Sequence, residues 1–295
     1  MTDFSSSEYE QMIGDLIHDT FYVELSKRGK IKGIRQFSEI LVRKILNVGS
    51  DKKLMLGQVQ QDFKNELNLL REGRKVDLLE IIEKIRPLGN DGTHTQHTAE
   101  FSDDELNKVK DGLLDLYAYL FIDYFLKYPM DLLSPAEVMF DFSLLPPIVR
   151  YKTLKYLYEK EPNLQIANRY CLSIIKTYDK ERALKWLEKE KSKLLSIPYP
   201  TDNEIQEYIC KRGIKDDSGN IIINLALPNY NNVYSLLMDK LKDPRTSANE
   251  SGKMYSEFEK AKTYYLSNRS DTEGEEINRL RDLMDFVYLG REALV

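Results

Sequence analysis

A chain of 295 residues has room for two hydrophobic cores, and 42% hydrophobic with 31% charged residues is the composition of a folded globular protein, which excludes an extended disordered chain. A net charge of −5 excludes a molecule that draws nucleic acid to its whole surface, so such a partner has to meet a local basic patch. Residues 27–32, residues 71–75, and Lys152 with Lys155 are the candidate patches.

The chain opens on Met-Thr-Asp-Phe and three serines, with neither the basic nor the apolar region of a secretory leader. Apolar residues at helical spacing predict helices over 9–25, 34–46, 59–70 and 76–85. Ser102-Asp-Asp-Glu105 has the form of a capping box and opens a long helix to about Lys127. Its apolar stretch, 113–126, is too short to span a bilayer and carries Asp115 and Asp123, so a cytosolic protein away from membranes is expected. Pro129 punctuates the chain, and a domain boundary placed there separates a helical bundle over 1–129 from an α-helical region over 130–295.

Beyond the boundary, Ser134-Pro-Ala-Glu137 has the letters of a second capping box with proline at the first helical position. Helices follow over 148–158, 164–178 and 181–194, and Thr201-Asp-Asn-Glu204 caps another to Arg212. The β-branched run 221–227 is the one convincing strand; no recognition helix rich in Arg, Asn or Gln precedes it, so a winged DNA reader is not expected. Helices over 231–241, 253–266 and 275–289 close an all-α fold with at most a short β element. Cys171 and Cys210 stand far apart without a Cys-x-x-Cys, which excludes a zinc ribbon and argues against a disulfide framework.

The chemistry concentrates in Ile85-Arg86-Pro87-Leu88-Gly89-Asn90-Asp91-Gly92-Thr93-His94, where a guanidinium, a carboxamide and an imidazole recur at four-residue intervals. On a helix, Arg86, Asn90 and His94 drift by only about 80° and share a face. Pro87, Gly89 and Gly92 argue instead that part of the segment is a turn, with the motif reduced to a helix stop and a solvated loop. Arg35, Glu39 and Arg43 form a second polar stripe on an earlier amphipathic helix.

The spacing R-x-x-G-N-x-x-x-H resembles the signature of a bacterial domain family of unknown function within the HEPN superfamily, and the Arg35/Glu39/Arg43 stripe resembles the polar pair that such domains set opposite the motif. The resemblance covers about the first half of the chain. It implies a small all-α domain that dimerises and acts in prokaryotic or phage conflict as a metal-independent endoribonuclease, with RNA as substrate and no cofactor or metal. It implies Arg86, Asn90 and His94 as catalytic residues and Arg35, Glu39 and Arg43 as substrate-binding ones. The alternative it leaves open is a noncatalytic scaffold or adaptor that binds a protein or nucleotide partner, with the same residues fixing a helix junction and the C-terminal region engaging the partner.

His97 follows His94 by three residues, but no acidic or thiol partner at informative spacing accompanies the pair, so no metal site is expected there. His18, among apolar neighbours, reads as an interior histidine. The aromatic-rich helix carrying Tyr117, Tyr119, Phe121, Tyr124, Phe125 and Tyr128 reads as a core seam with enough apolar surface left over to serve as a dimer face. Phosphate-cradling glycine loops and nucleophile elbows are absent from the sequence.

Overall fold

A computed structural model describes residues 3–93, 98–212, 214–215, 221–223, 230–244, 246 and 258–293. The fold is all-α. In chain order the α-helices are α1 (Glu10–Ile17), α2 (Lys27–Leu46), α3 (Val59–Asp62), α4 (Lys64–Asn68), α5 (Arg74–Thr93), α6 (Asp103–Lys127), α7 (Ala136–Ser143) and α8 (Pro147–Lys160). They continue as α9 (Leu164–Thr177), α10 (Lys180–Lys189), α11 (Lys191–Ser196), α12 (Asp202–Arg212), α13 (Val233–Lys242), α14 (Phe258–Asn268) and α15 (Glu275–Tyr288). Between α12 and α13 lies a two-stranded antiparallel ladder, β1 (Ile214–Lys215) and β2 (Ile221–Ile223), with Ile214 opposite Ile223. The second strand begins where the β-branched run predicts; residues 224–227 of that run, and 253–257 of the predicted helix before Phe258, lie outside the described residues. Among the described residues, no helix is long and apolar enough to cross a membrane.

The chain separates into two compact units: one of residues 1–121 with 282–293, the other of residues 122–281. The sequence boundary after Pro129 is therefore displaced into α6, and the first unit also takes in the end of α15. The cause is long-range. Helix α6 continues without a break past residue 121, and Phe286, Val287 and Tyr288 are buried. Phe4 meets Phe286 edge-on at 5.8 Å, and the Lys44 ammonium lies 4.4 Å from the Phe286 ring. Burial lowers the Lys44 pKa, and Asp282 partly restores it.

In the first unit α2 packs along α5. Helix α2 starts at Ser26, whose hydroxyl accepts from the Gly29 N–H, and stops at Asn47, which takes the left-handed conformation with φ 53°. Its buried side is Ile31, Ile34, Phe37 and Leu41. Arg74, at the start of α5, is almost wholly buried: its guanidinium lies 3.6 Å over the Tyr119 ring, bonds Asp77 at 2.8 Å, and donates to the Tyr119 carbonyl, while the Tyr119 hydroxyl returns a bond to the Arg74 carbonyl. Tyr117 stands near Phe37 at 5.9 Å, and burial pushes its hydroxyl up to about 12 despite Arg291 nearby. Tyr117, Tyr119, Phe121, Tyr124 and Phe125 are all buried within the single chain, so the aromatic surplus of α6 is consumed internally and does not form the spare dimer face that the sequence suggests.

In the second unit, α8 and α9 form the central hairpin, with α10 and α13 against α9. Asp141 has no exposure and holds three groups: the Ser270 N–H at 3.0 Å, the Ser270 hydroxyl, and the Arg281 Nε at 3.0 Å. Capping boxes form at Ser102 with Glu105 and at Thr201 with Glu204. Ser134 does not make one: its hydroxyl accepts from the Asp131 N–H and donates back to the Pro129 carbonyl, closing the preceding turn.

Asp141→Ala strands the half-buried Arg281 and the Ser270 amide, and removing one member of a buried pair costs about 3–5 kcal/mol. Urea unfolding of this variant is expected to give a free energy lower by that amount and hence a lower midpoint; an unchanged midpoint contradicts the role assigned to Asp141.

Candidate functional site

Helix α5 runs through Pro87, Gly89 and Gly92 to Thr93 without a turn, against the expectation of a break. Pro87 costs the hydrogen bond its N–H would make to the Glu83 carbonyl, but its ring faces outward. The two glycines weaken the isolated helix yet are buried against α2, where tertiary contact outweighs propensity. A Cβ on Gly89 would stand 2.5 Å from Arg35 Cδ, and one on Gly92 3.2 Å from Ile31 Cγ2. Only residues without side chains let α2 come this close.

The consequence is a polar seam. The Arg35 stem lies on the backbone of Gly89, its Nη1 donates to Thr93 Oγ1 at 3.3 Å, and its Nη2 stands 3.6 Å from Glu39 Oε1. Its Nε is buried with no hydrogen-bond partner in the structure. Thr93 in turn donates to the Gly89 carbonyl at 2.7 Å. Burial raises the Glu39 carboxyl above its ordinary value, against the lowering effects of Arg35, a bond from the Leu56 amide, and Arg43.

Arg86 sits on the same stripe of α5, since Arg86, Gly89, Asn90 and Thr93 are spaced i, i+3, i+4 and i+7. Its Nε and Nη2 grip both oxygens of Glu83 at 2.9 and 2.7 Å, which raises its pKa further. The Arg86 side chain keeps 35% of its surface exposed. Its stem passes the Leu56–Gln58 turn, where a Cβ on Gly57 would meet it at 3.5 Å, the same turn whose Leu56 amide faces Glu39. Asn90 is half-buried one residue beyond Gly89. His94, the third motif residue, and His97 lie outside the described residues.

Arg35, Glu39, Arg86, Asn90 and Thr93 thus belong to one α2–α5 seam. Arg43 has a different task from the substrate contact expected of it: its two terminal nitrogens donate to the Gly49 and Lys52 carbonyls, both at 2.7 Å, and clamp the loop after α2. The sequence reading missed Thr93, which fills the last turn of the stripe, and saw Arg28 only as part of a basic patch. Arg28 donates to the Asp91 carbonyl at 3.0 Å and the Ala99 carbonyl at 3.2 Å, tying the chain on either side of 94–97. The seven-residue step from Arg28 to Arg35, two helical turns on one face, is the signal that could have found it. Beside Arg28 a cleft of about 380 Å³ is lined by Ser26, Lys27, Thr98, Ala99, Glu100 and Phe101. Among the described residues no cluster of three or more His, Cys, Asp or Glu is placed to hold a metal.

No family model, curated protein or solved structure matches the chain.

Two outcomes test the seam. Overpacking costs about 1–3 kcal/mol, more than the ~1 kcal/mol that alanine gains over glycine in a helix, so Gly89→Ala is expected to destabilise the chain. In an Arg35→Ala background Cγ and Cδ are gone and only the Cβ at 3.0 Å remains, so the same substitution is expected to cost clearly less; equal effects in both backgrounds would refute the contact. Glu39→Gln tests the buried carboxyl. Below about pH 4 Glu39 is neutral in folded and unfolded chains alike; as pH rises, the unfolded chain loses its proton first and stability falls until both are ionised. The advantage of Glu39→Gln over the wild type is therefore expected to grow in urea titrations as the pH rises through and above the ordinary glutamate value of about 4.3, and a pH-independent difference would contradict the raised pKa.

Proposed function

We propose that the first unit is a HEPN-like, metal-independent endoribonuclease of a prokaryotic or phage conflict system. The observation that carries the reading is Arg86: a guanidinium with a third of its surface open to solvent, on the same α5 stripe as Asn90 and one helical seam from Arg35. In the proposed step the ribose 2′-oxygen forms a bond to phosphorus while the bond to the 5′-oxygen breaks, leaving a 2′,3′-cyclic phosphate and a 5′-hydroxyl. His94 moves the proton, as a near-neutral imidazole suits both taking it from the 2′-hydroxyl and returning it to the leaving oxygen. Arg86 exchanges Glu83 for the non-bridging oxygens, where its planar fork stabilises growing charge. Asn90 orients His94 or donates to the phosphate. One motif supplies one imidazole, so self-association that sets two motifs together provides acid and base at once.

A second reading is favoured by a specific feature: the fork of Arg86 is already closed on Glu83, Arg43 is spent on loop carbonyls, and Arg35 is wedged against Gly89. On that reading the motif fixes a helix junction in a noncatalytic adaptor, and a protein partner is engaged elsewhere on the chain.

Purified protein incubated with total RNA in the presence of a chelator separates the two. The ribonuclease reading expects cyclic-phosphate ends, a loss of about 10²-fold or more in His94→Ala, and a loss in Arg86→Lys, which keeps the charge but not the fork. The melting temperature of His94→Ala should barely move. Unchanged cleavage in both variants, or a loss of stability of about 2 kcal/mol in His94→Ala, favours the adaptor.

A further inference from the structure

Charge is distributed unevenly along this acidic chain. Between Pro147 and Ser196, the span of α8 to α11, twelve lysines and arginines stand against six aspartates and glutamates, a local charge of +6 in a chain of −5. The same helices carry a connected set of rings. Tyr151 lies 5.6 Å from Tyr170 and 5.1 Å from Tyr178, and Trp186 lies 5.3 Å from Tyr158 and 5.0 Å from Tyr170. Tyr158 and Tyr170 are buried at 2% and 5% exposure, which makes them the floor of the cluster. Tyr151, Tyr178 and Trp186 are only half-buried and form its rim, held in place by edge-to-face contacts with the floor and with one another.

Three of these twelve cations, Lys152, Arg182 and Lys185, stand at that rim. The Arg182 guanidinium lies 4.3 Å over the Tyr178 ring with its side chain 60% exposed, and Lys185, three residues on, is 73% exposed. Lys152 and Arg182 both stand near enough to the Tyr178 hydroxyl to lower its pKa against the raising effect of burial. Asp179 and Glu181 also face this rim, and they engage Arg182 and Lys185 through exposed pairs of the kind that contribute little and exchange readily for another anion.

We infer that the α8–α10 face of the second unit binds single-stranded nucleic acid, with unpaired bases stacking on Trp186, Tyr151 and the Arg182–Tyr178 pair and phosphates meeting Arg182 and Lys185. Bases supply flat faces for the rings and phosphates supply the counter-charge, a combination that neither an acidic peptide nor a duplex with stacked bases offers. The proposal goes beyond the ribonuclease reading and does not need it.

Trp186 is the single tryptophan of the chain, so its emission reports this face and no other. The full chain is titrated at 50 mM salt with a 15-nucleotide oligodeoxythymidylate, which lacks the 2′-hydroxyl that the proposed cleavage requires; its binding is thus read apart from any ribonuclease activity. A saturable change in emission is expected. With two phosphates engaged, affinity should fall about sevenfold between 50 and 200 mM salt. Arg182→Glu with Lys185→Glu should weaken binding by about tenfold or more, while circular dichroism confirms an intact fold. Trp186→Leu, followed by the anisotropy of a labelled oligonucleotide, should weaken it by about fivefold or more. No saturable change, or an equal change with polyglutamate, which has the charge and no bases, overturns the proposal.

Discussion

The first unit depends on one close approach, that of Arg35 to Gly89. Because Gly89 has no side chain, three methylenes of an arginine lie directly on the backbone of α5. That contact sets the spacing of α2 and α5, and the remaining polar groups follow from it: Thr93 turns toward the guanidinium, Glu39 is drawn from water, and the Leu56–Gln58 turn is brought to face both Glu39 and Arg86. A helix that would be marginal alone, with a proline and two glycines in its last turns, is continuous because its partner needs the room.

Arginine has a second use throughout the molecule. Arg28 joins the carbonyls of Asp91 and Ala99, Arg43 those of Gly49 and Lys52, Arg74 reaches that of Tyr119, and Arg281 those of Thr272 and Ser270. Apart from that of Tyr119, which lies inside α6, these carbonyls are at helix ends or in loops without an intrahelical donor, and a guanidinium with five N–H groups can serve two of them at once. The pattern explains why a polar stripe such as Arg35, Glu39 and Arg43 reads as a binding surface in the sequence while one member of it is a staple in the fold. Composition shows the guanidinium but not its acceptor.

What was legible in the sequence was local. The boxes at Ser102 and Thr201 form because serine or threonine and a glutamate three residues on need only each other. Ser134 has the same letters, but the turn before it offers the Pro129 carbonyl and the Asp131 amide, and these win. The four-residue steps of the motif predict the shared stripe of Arg86 and Asn90, whereas the turn expected from Pro87 and the glycines is prevented by a helix some fifty residues earlier. The aromatics of α6 were rightly read as core, but how much of the helix the chain itself would cover was not a local property. Nor was the return of α15 to the first unit, which no punctuation in the sequence marks.

That return makes the second unit an insertion within the first. A nascent chain completes residues 122–281 before it makes 282–293, which hold Phe286, Val287 and Tyr288 of the first unit's core. At 5–20 residues per second, those intervening 160 residues take roughly 10–30 s to synthesise. During that interval the second unit can fold as a continuous piece, while the α2–α5 seam waits on an unfinished core. A chain cut before Phe286 therefore lacks three side chains of the first unit's core while keeping every residue of the α2–α5 seam.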